Sequence, residues 1–282
     1  MKTGMRAHGF TIVEVIIVMA VTAALLASAL ALFSGKQAAV EFNQASNDIQ
    51  SQVNQVIDNV NAGYYTRPAN FTCMKNGPDT APTITTASQD IGTNADCIFL
   101  GRVIQFGVGT NDARFNIYNL AGLHYDPGTT DTVSSLANAS PIALAPGTAT
   151  NTSFPTTFTE IDTLEYGLKV VSVQYNGSAA NLTGMVAFVT NINGAPAIGS
   201  SSSDAASLYI IKNGNTLNQP ADAAVEDIDQ LNAANFVPAS SVTVCFDGGT
   251  SLYAVLTIGN NNRQLTTSLQ VLNKSSSPSE CS

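Results

Sequence analysis

Between Val15 and Phe33 the chain carries no charged residue, and only Thr22 and Ser28 interrupt an otherwise apolar run. As a helix that run rises roughly 28 Å, close to the ~30 Å hydrocarbon core of a bilayer. A short polar leader with Lys2 and Arg6 precedes it, and positive charge next to a span holds that end on the cytoplasmic side. The expectation is a single-pass helix with the bulk of the chain outside. One residue resists it: Glu14 sits at the head of the apolar run, where an unpaired carboxylate is costly.

Three readings compete for this segment. A cleaved signal peptide fits the basic start and the small-residue triplets Ala27-Ser28-Ala29 and Ala29-Leu30-Ala31. The run is nevertheless longer than the usual apolar region of about 7–15 residues. A plain anchor leaves Glu14 to snorkel toward headgroups. The third reading gives Glu14 a use. Beyond Phe33, apolar residues recur at Phe42, Ala45, Ile49, Val53, Val56, Ile57 and Val60, steps of three and four that trace one helix face. Gly63, followed by Tyr64-Tyr65, supplies a stop. The pattern predicts one helix from Phe10 to Ala62, roughly 80 Å long, apolar all round in its first half and amphipathic in its second. Gly35 marks the junction as a place for bending. A signal peptide explains none of the second half.

The stretch "GFTIVE", with Gly9 ending a short basic leader, Phe10 next and Glu14 fifth after the break, resembles the class III signal of type IV prepilins and type II secretion pseudopilins. The resemblance covers residues 1 to 35 closely and the extension to 62 in general character. It implies that a prepilin peptidase removes residues 1–9 after Gly9, that Phe10 becomes an N-methylated N-terminus, and that Glu14 guides packing against other pilin subunits. It further implies a transmembrane and assembly helix over 10–34, its amphipathic half over 35–63, and an exported β-rich domain over 64–282. The subunit would rest in the cytoplasmic membrane until pilus assembly machinery moves it into an extracellular or periplasmic filament. Its size, large for a repeating major subunit of such filaments, points to a minor or tip pilin. The physics is compatible: a carboxylate at bilayer depth costs a few kcal/mol unless paired, and cleavage creates an amine that a neighbour's Glu14 can meet.

After Gly63 the pattern becomes alternating and β-branched. Strands are expected at Ile98–Phe106, Phe115–Leu120, Leu164–Tyr175, Met185–Ile192, Leu208–Lys212, Val242–Phe246, Leu252–Ile258 and Ser268–Leu272. Asp247-Gly248-Gly249 and Asn260-Asn261-Asn262 join the last three as an antiparallel meander. The fold class is therefore α+β, a long N-terminal helix packed on an antiparallel sheet in a pilin-like layout. Segments 126–160 and 193–206 read as surface loops, and a short helix is expected over Asp222–Ala234. Its Glu226, Asp227 and Asp229 lack EF-hand spacing and read as a solvated face rather than a calcium site.

Four cysteines, Cys73, Cys97, Cys245 and Cys281, have no zinc spacing. In an exported domain they permit two disulfides, with Cys73–Cys97 and Cys245–Cys281 the pairings local in sequence. The net charge of −9 and the absence of any run of Lys or Arg argue against a nucleic-acid partner. Catalysis would rest on His124 alone, since His8 lies in the leader, and no nucleophile elbow, zinc motif or phosphate loop accompanies it. Gly107-Val108-Gly109 reads as a turn. No enzyme activity, cofactor or metal is expected. The alternatives are a membrane-anchored adhesin or other binding domain, an enzyme merely tethered by the helix, and an ordinary secreted domain.

Overall fold

A computed structural model describes residues 11–64, 71–74, 83–86, 97–108, 111–125, 132–143, 159–182, 184–190, 192, 206–211, 235–249, 251–261, 264–274 and 281. One helix, α1 (Ile12–Asn61), begins the fold. It continues through Gly35 as unbroken helix. Thr11 starts it: the Thr11 hydroxyl accepts from the Glu14 amide, and the Glu14 side chain reaches back to the Thr11 amide, a capping box that occupies two donors a helix start leaves over. Gly63, at φ 63°, ends it. The Tyr64 amide donates to the Asn59 carbonyl at 2.7 Å and the Gly63 amide to that of Val60 at 3.1 Å, a Schellman closure that needs a left-handed residue in this place.

All seven residues of the sequence periodicity, from Phe42 to Val60, are buried. They face a core to which two antiparallel sheets contribute. The first has seven strands in the order β11-β10-β9-β3-β4-β5, with β6 also pairing with β4. Its members are β3 (Cys97–Val108), β4 (Asn111–Leu123), β5 (Ile142–Ala143), β6 (Thr159–Thr163), β9 (Met185–Val189), β10 (Ser207–Ile211) and β11 (Phe236–Pro238). The second has the order β14-β13-β12-β7-β8, from β7 (Lys169–Tyr175), β8 (Ser178–Leu182), β12 (Ser241–Asp247), β13 (Leu252–Asn261) and β14 (Gln264–Asn273). A separate pair joins β1 (Phe71–Met74) to β2 (Thr83–Thr86). The expected meander is β12-β13-β14. The α+β layout is the expected one, a long helix on antiparallel strands, with the described strands divided among three sheets.

Alternation along β12 sorts its side chains. Val242, Val244 and Phe246 enter the core shared with α1, whereas Cys245 lies in a separate cluster with Val255 and Cys281 on the opposite face. Gln50 and Asn54 of α1 meet Thr267 of β14, the latter through a 2.8 Å hydrogen bond, so polar contacts rim the apolar seam.

Several elements differ from the expectation for identifiable reasons. The stretch Leu164–Tyr175 is not one strand: Glu165–Gly167 form a 3-10 turn with Tyr166 at φ 53°, ψ 31°, which ends the alternation before β7. Segment 126–160 is not simply a surface loop. Val133, Ala139, Ile142 and Ala143 are buried, on or next to a one-turn helix, α2 (Leu136–Ala139), and β5, and residues 159 and 160 open β6. Asn260 and Asn261 belong to β13, paired with Leu265 and Gln264, so the hairpin turn lies beyond them. The helix expected over Asp222–Ala234 and its three acids fall outside the described residues.

Candidate functional site

The site that the sequence singles out is the start of α1. Gly9 and Phe10 lie outside the described residues; Glu14 is the third residue of the helix. Its Oε2 accepts from the Thr11 amide and from the Thr11 hydroxyl, each at 3.4 Å. The Glu14 amide donates to the Thr11 hydroxyl at 3.3 Å. A negative group in the first turn also lies at the positive end of the helix dipole. Glu14 is thus partly satisfied by its own chain, which lowers the cost of placing it beside the apolar run. Thr11-Ile12-Val13-Glu14 carries the Thr-x-x-Glu signature of a capping box, the sequence signal that marks Thr11 as the helix start.

From Ile12 to Leu30 the helix is apolar but for Glu14, Thr22 and Ser28, and none of these residues is buried. Ile12, Met19 and Leu25 expose 79%, 68% and 65% of their surface. A surface this apolar, continuous around the helix, is unstable in water and requires lipid or protein around it. The two hydroxyl side chains within it are internally satisfied. Thr22 donates to the Val18 carbonyl at 2.9 Å and Ser28 to that of Ala24 at 2.7 Å, so neither leaves an unpaired group in hydrocarbon. Exposure gives way to burial at Phe42, and from there α1 is part of the domain.

Residues 4–30 match the family model of the prokaryotic N-terminal methylation motif. The chain carries a class III prepilin signal. This is the signal of type IV pilins and pseudopilins, and the matched span holds Gly9, Phe10, Glu14 and the exposed apolar half of α1. Comparison with curated proteins and with solved structures gives no significant match.

The remaining sequence candidates lie apart from this signal. Cys245 and Cys281 form a disulfide with 5.6 Å between Cα atoms, as their spacing suggested. The side chains of Cys73 and Cys97 lie outside the described ones. His124 follows β4, its ring 4.3 Å from that of Tyr125. The first sheet contains a buried polar group that the sequence did not announce. Asn116 donates to the Tyr118 hydroxyl at 2.8 Å, and Tyr118 donates to Gln105 at 2.9 Å. Burial pushes the Tyr118 phenol above its ordinary range, against smaller downward effects of Asn116 and Arg114. Arg102, 2% exposed, reaches Glu160 of β6 at 3.3 Å, tying that edge strand to the sheet.

Proposed function

We propose that the chain is a structural filament subunit, a minor pilin or pseudopilin of a type IV pilus or type II secretion-like filament. The observation that carries this reading is the contrast within one helix: a prepilin signal headed by Glu14, an apolar half with no partner among the described residues, and a second half locked into a folded domain. Such a helix is a tether in the membrane and a shaft in an assembly.

In this reading prepilin peptidase cleaves after Gly9 and Phe10 receives the N-methyl group. The new amine is then the cation with which Glu14 of a neighbouring copy pairs. A charge pair formed away from water is favourable only if both partners are placed well, so a mismatched register is penalised. The membrane holds the subunit until assembly, with the domain on the outer side, and the role is structural rather than catalytic. Glu14→Ala tests it: membrane retention is kept, because a charge is removed from the apolar segment, and filaments recovered from cells fall to background. Normal filaments from that variant would leave the helix as a plain anchor.

A further inference from the structure

We infer that the end of the domain from which α1 emerges is a membrane-interfacial rim, at which Tyr166, Lys36, Lys169 and Lys274 rest on the phospholipid headgroup layer before assembly. The inference rests on the anchoring of α1 proposed above and adds a second contact, made by the domain itself.

The geometry follows from Phe42, the first residue of the buried face of α1. Its ring packs against Gly248 so closely that a Cβ on that glycine would collide with it. The turn after β12 therefore marks the membrane-side end of the second sheet. In that turn Asp247 pairs across strands with Lys169 of β7. Its carboxylate meets the Lys274 ammonium at 2.8 Å, and the same ammonium lies 5.2 Å from the centre of the Tyr253 ring. Lys169 also reaches Asp112 at the start of β4, at 3.1 Å. Directly before Lys169 the 3-10 turn presents Tyr166, 48% exposed and in a left-handed conformation. Lys36 is exposed on α1 between the apolar run and Phe42.

These residues are far apart in sequence, and the fold gathers them at one pole. Glu41, Asp112, Glu165 and Asp247 share that pole, so it is close to charge balance, whereas the chain as a whole carries −9. Paired ammonium and carboxylate groups around an exposed tyrosine suit a layer of phosphates and amines, and tyrosine and lysine are residues that anchor at such interfaces. The distance also fits. From Phe33, the end of the apolar run, to Phe42 the helix rises about 14 Å. The headgroup layer fills roughly 5–7 Å of that, and lysine and tyrosine side chains reach across most of the remainder.

The test uses the full chain in vesicles of phosphatidylcholine and phosphatidylglycerol. Its sequence has no tryptophan, so Tyr166→Trp introduces a single emitter at the rim. Tyr64→Trp places one at the far end of α1, where Tyr64 is 59% exposed. With lipid spin-labelled on its headgroup, the expected result is quenched, blue-shifted emission from position 166 and none of either from position 64. Adding Lys169→Gln and Lys274→Gln to the first variant should weaken the quenching. Equal emission from both positions, in a chain that still resists alkaline extraction, overturns the rim and leaves the anchor standing. Loss of the chain on alkaline extraction overturns the anchor itself and the rim with it. An emitter at 166 shielded from aqueous quencher but untouched by the headgroup-labelled lipid would mean a second copy covers this end, which also overturns the inference.

Discussion

Replacing Cys281 by serine opens the bridge to Cys245, which spans a sequence separation of 36. In the chain-entropy account, closing such a loop removes about 13 cal/mol/K from the unfolded state, or roughly 3.8 kcal/mol at 25 °C. The position adds to the effect. Cys245 is fully buried and packs with Val255 and Leu272 on the face of the second sheet away from α1, so the bridge holds Cys281 against that face. For a domain of this size about 4 kcal/mol corresponds to a fall in Tm of roughly 8–15 °C. The assay is urea and thermal unfolding followed by circular dichroism, comparing Cys281→Ser with the Cys245→Val/Cys281→Ser pair. The second variant restores an apolar side chain at the buried position. Both should lose the same amount, because the loss lies in loop closure. A loss below about 1 kcal/mol in both would refute the reasoning, showing that the unfolded chain gains little freedom when the bridge opens. A loss in the single variant alone would refute it differently, pointing to the unpaired thiol.

Gly101 stands at a bulge in β3 with φ 149°, and a Cβ there would run into the backbone carbonyl of Phe188 on β9; Gly101→Ala should cost about 3 kcal/mol or more and reduce the soluble yield of folded domain. Ile49→Ala, in the middle of the seam between α1 and the sheets, should cost about 2–5 kcal/mol by the same unfolding assay. Burial first, then the Glu160 and Asp48 charges, raises the Asp162 carboxyl above its ordinary value. The folded state therefore holds that proton more tightly than the unfolded state does, so its contribution to stability is present in acid and is lost as pH rises through the raised value. Asp162→Asn should accordingly raise Tm at pH 7, with the gain fading below about pH 4; an equal gain at both pH values would contradict it.

The amphipathic half of α1 was readable because its burial is one-sided: every apolar residue at helical spacing from Phe42 to Val60 is in the core. The last three strands were readable for a similar reason, being alternating runs separated by turn residues. What escaped was where local pattern and structure diverge. Leu164–Tyr175 alternates like a strand, yet Tyr166 and Gly167 both adopt positive φ and break it. The β7–β8 hairpin turns on Asn176-Gly177, at φ 54° and 65°, so the Asn-Gly pair splits a run whose apolar content alone does not show two strands. Segment 132–143 reads as part of a loop because Thr, Ser, Ala and Pro dominate it, yet Val133, Ala139, Ile142 and Ala143 are buried, and the Ala139 carbonyl lies so close to Gly122 that a Cβ on that glycine would clash. At the N-terminus the signal was local and fully legible except for the role of Thr11. The membrane-side rim was invisible, because it joins residues from α1 to the end of β14 that only the fold brings together.

The central claim is that residues 1–9 are removed and Phe10 becomes a methylated filament N-terminus. Intact mass and N-terminal sequencing of the protein recovered from its native host test it most directly. The account predicts a chain beginning with N-methylated Phe10. A chain beginning at Leu30 or Leu32 would contradict it, since the apolar half of α1 and Glu14 would then have been discarded as a signal peptide.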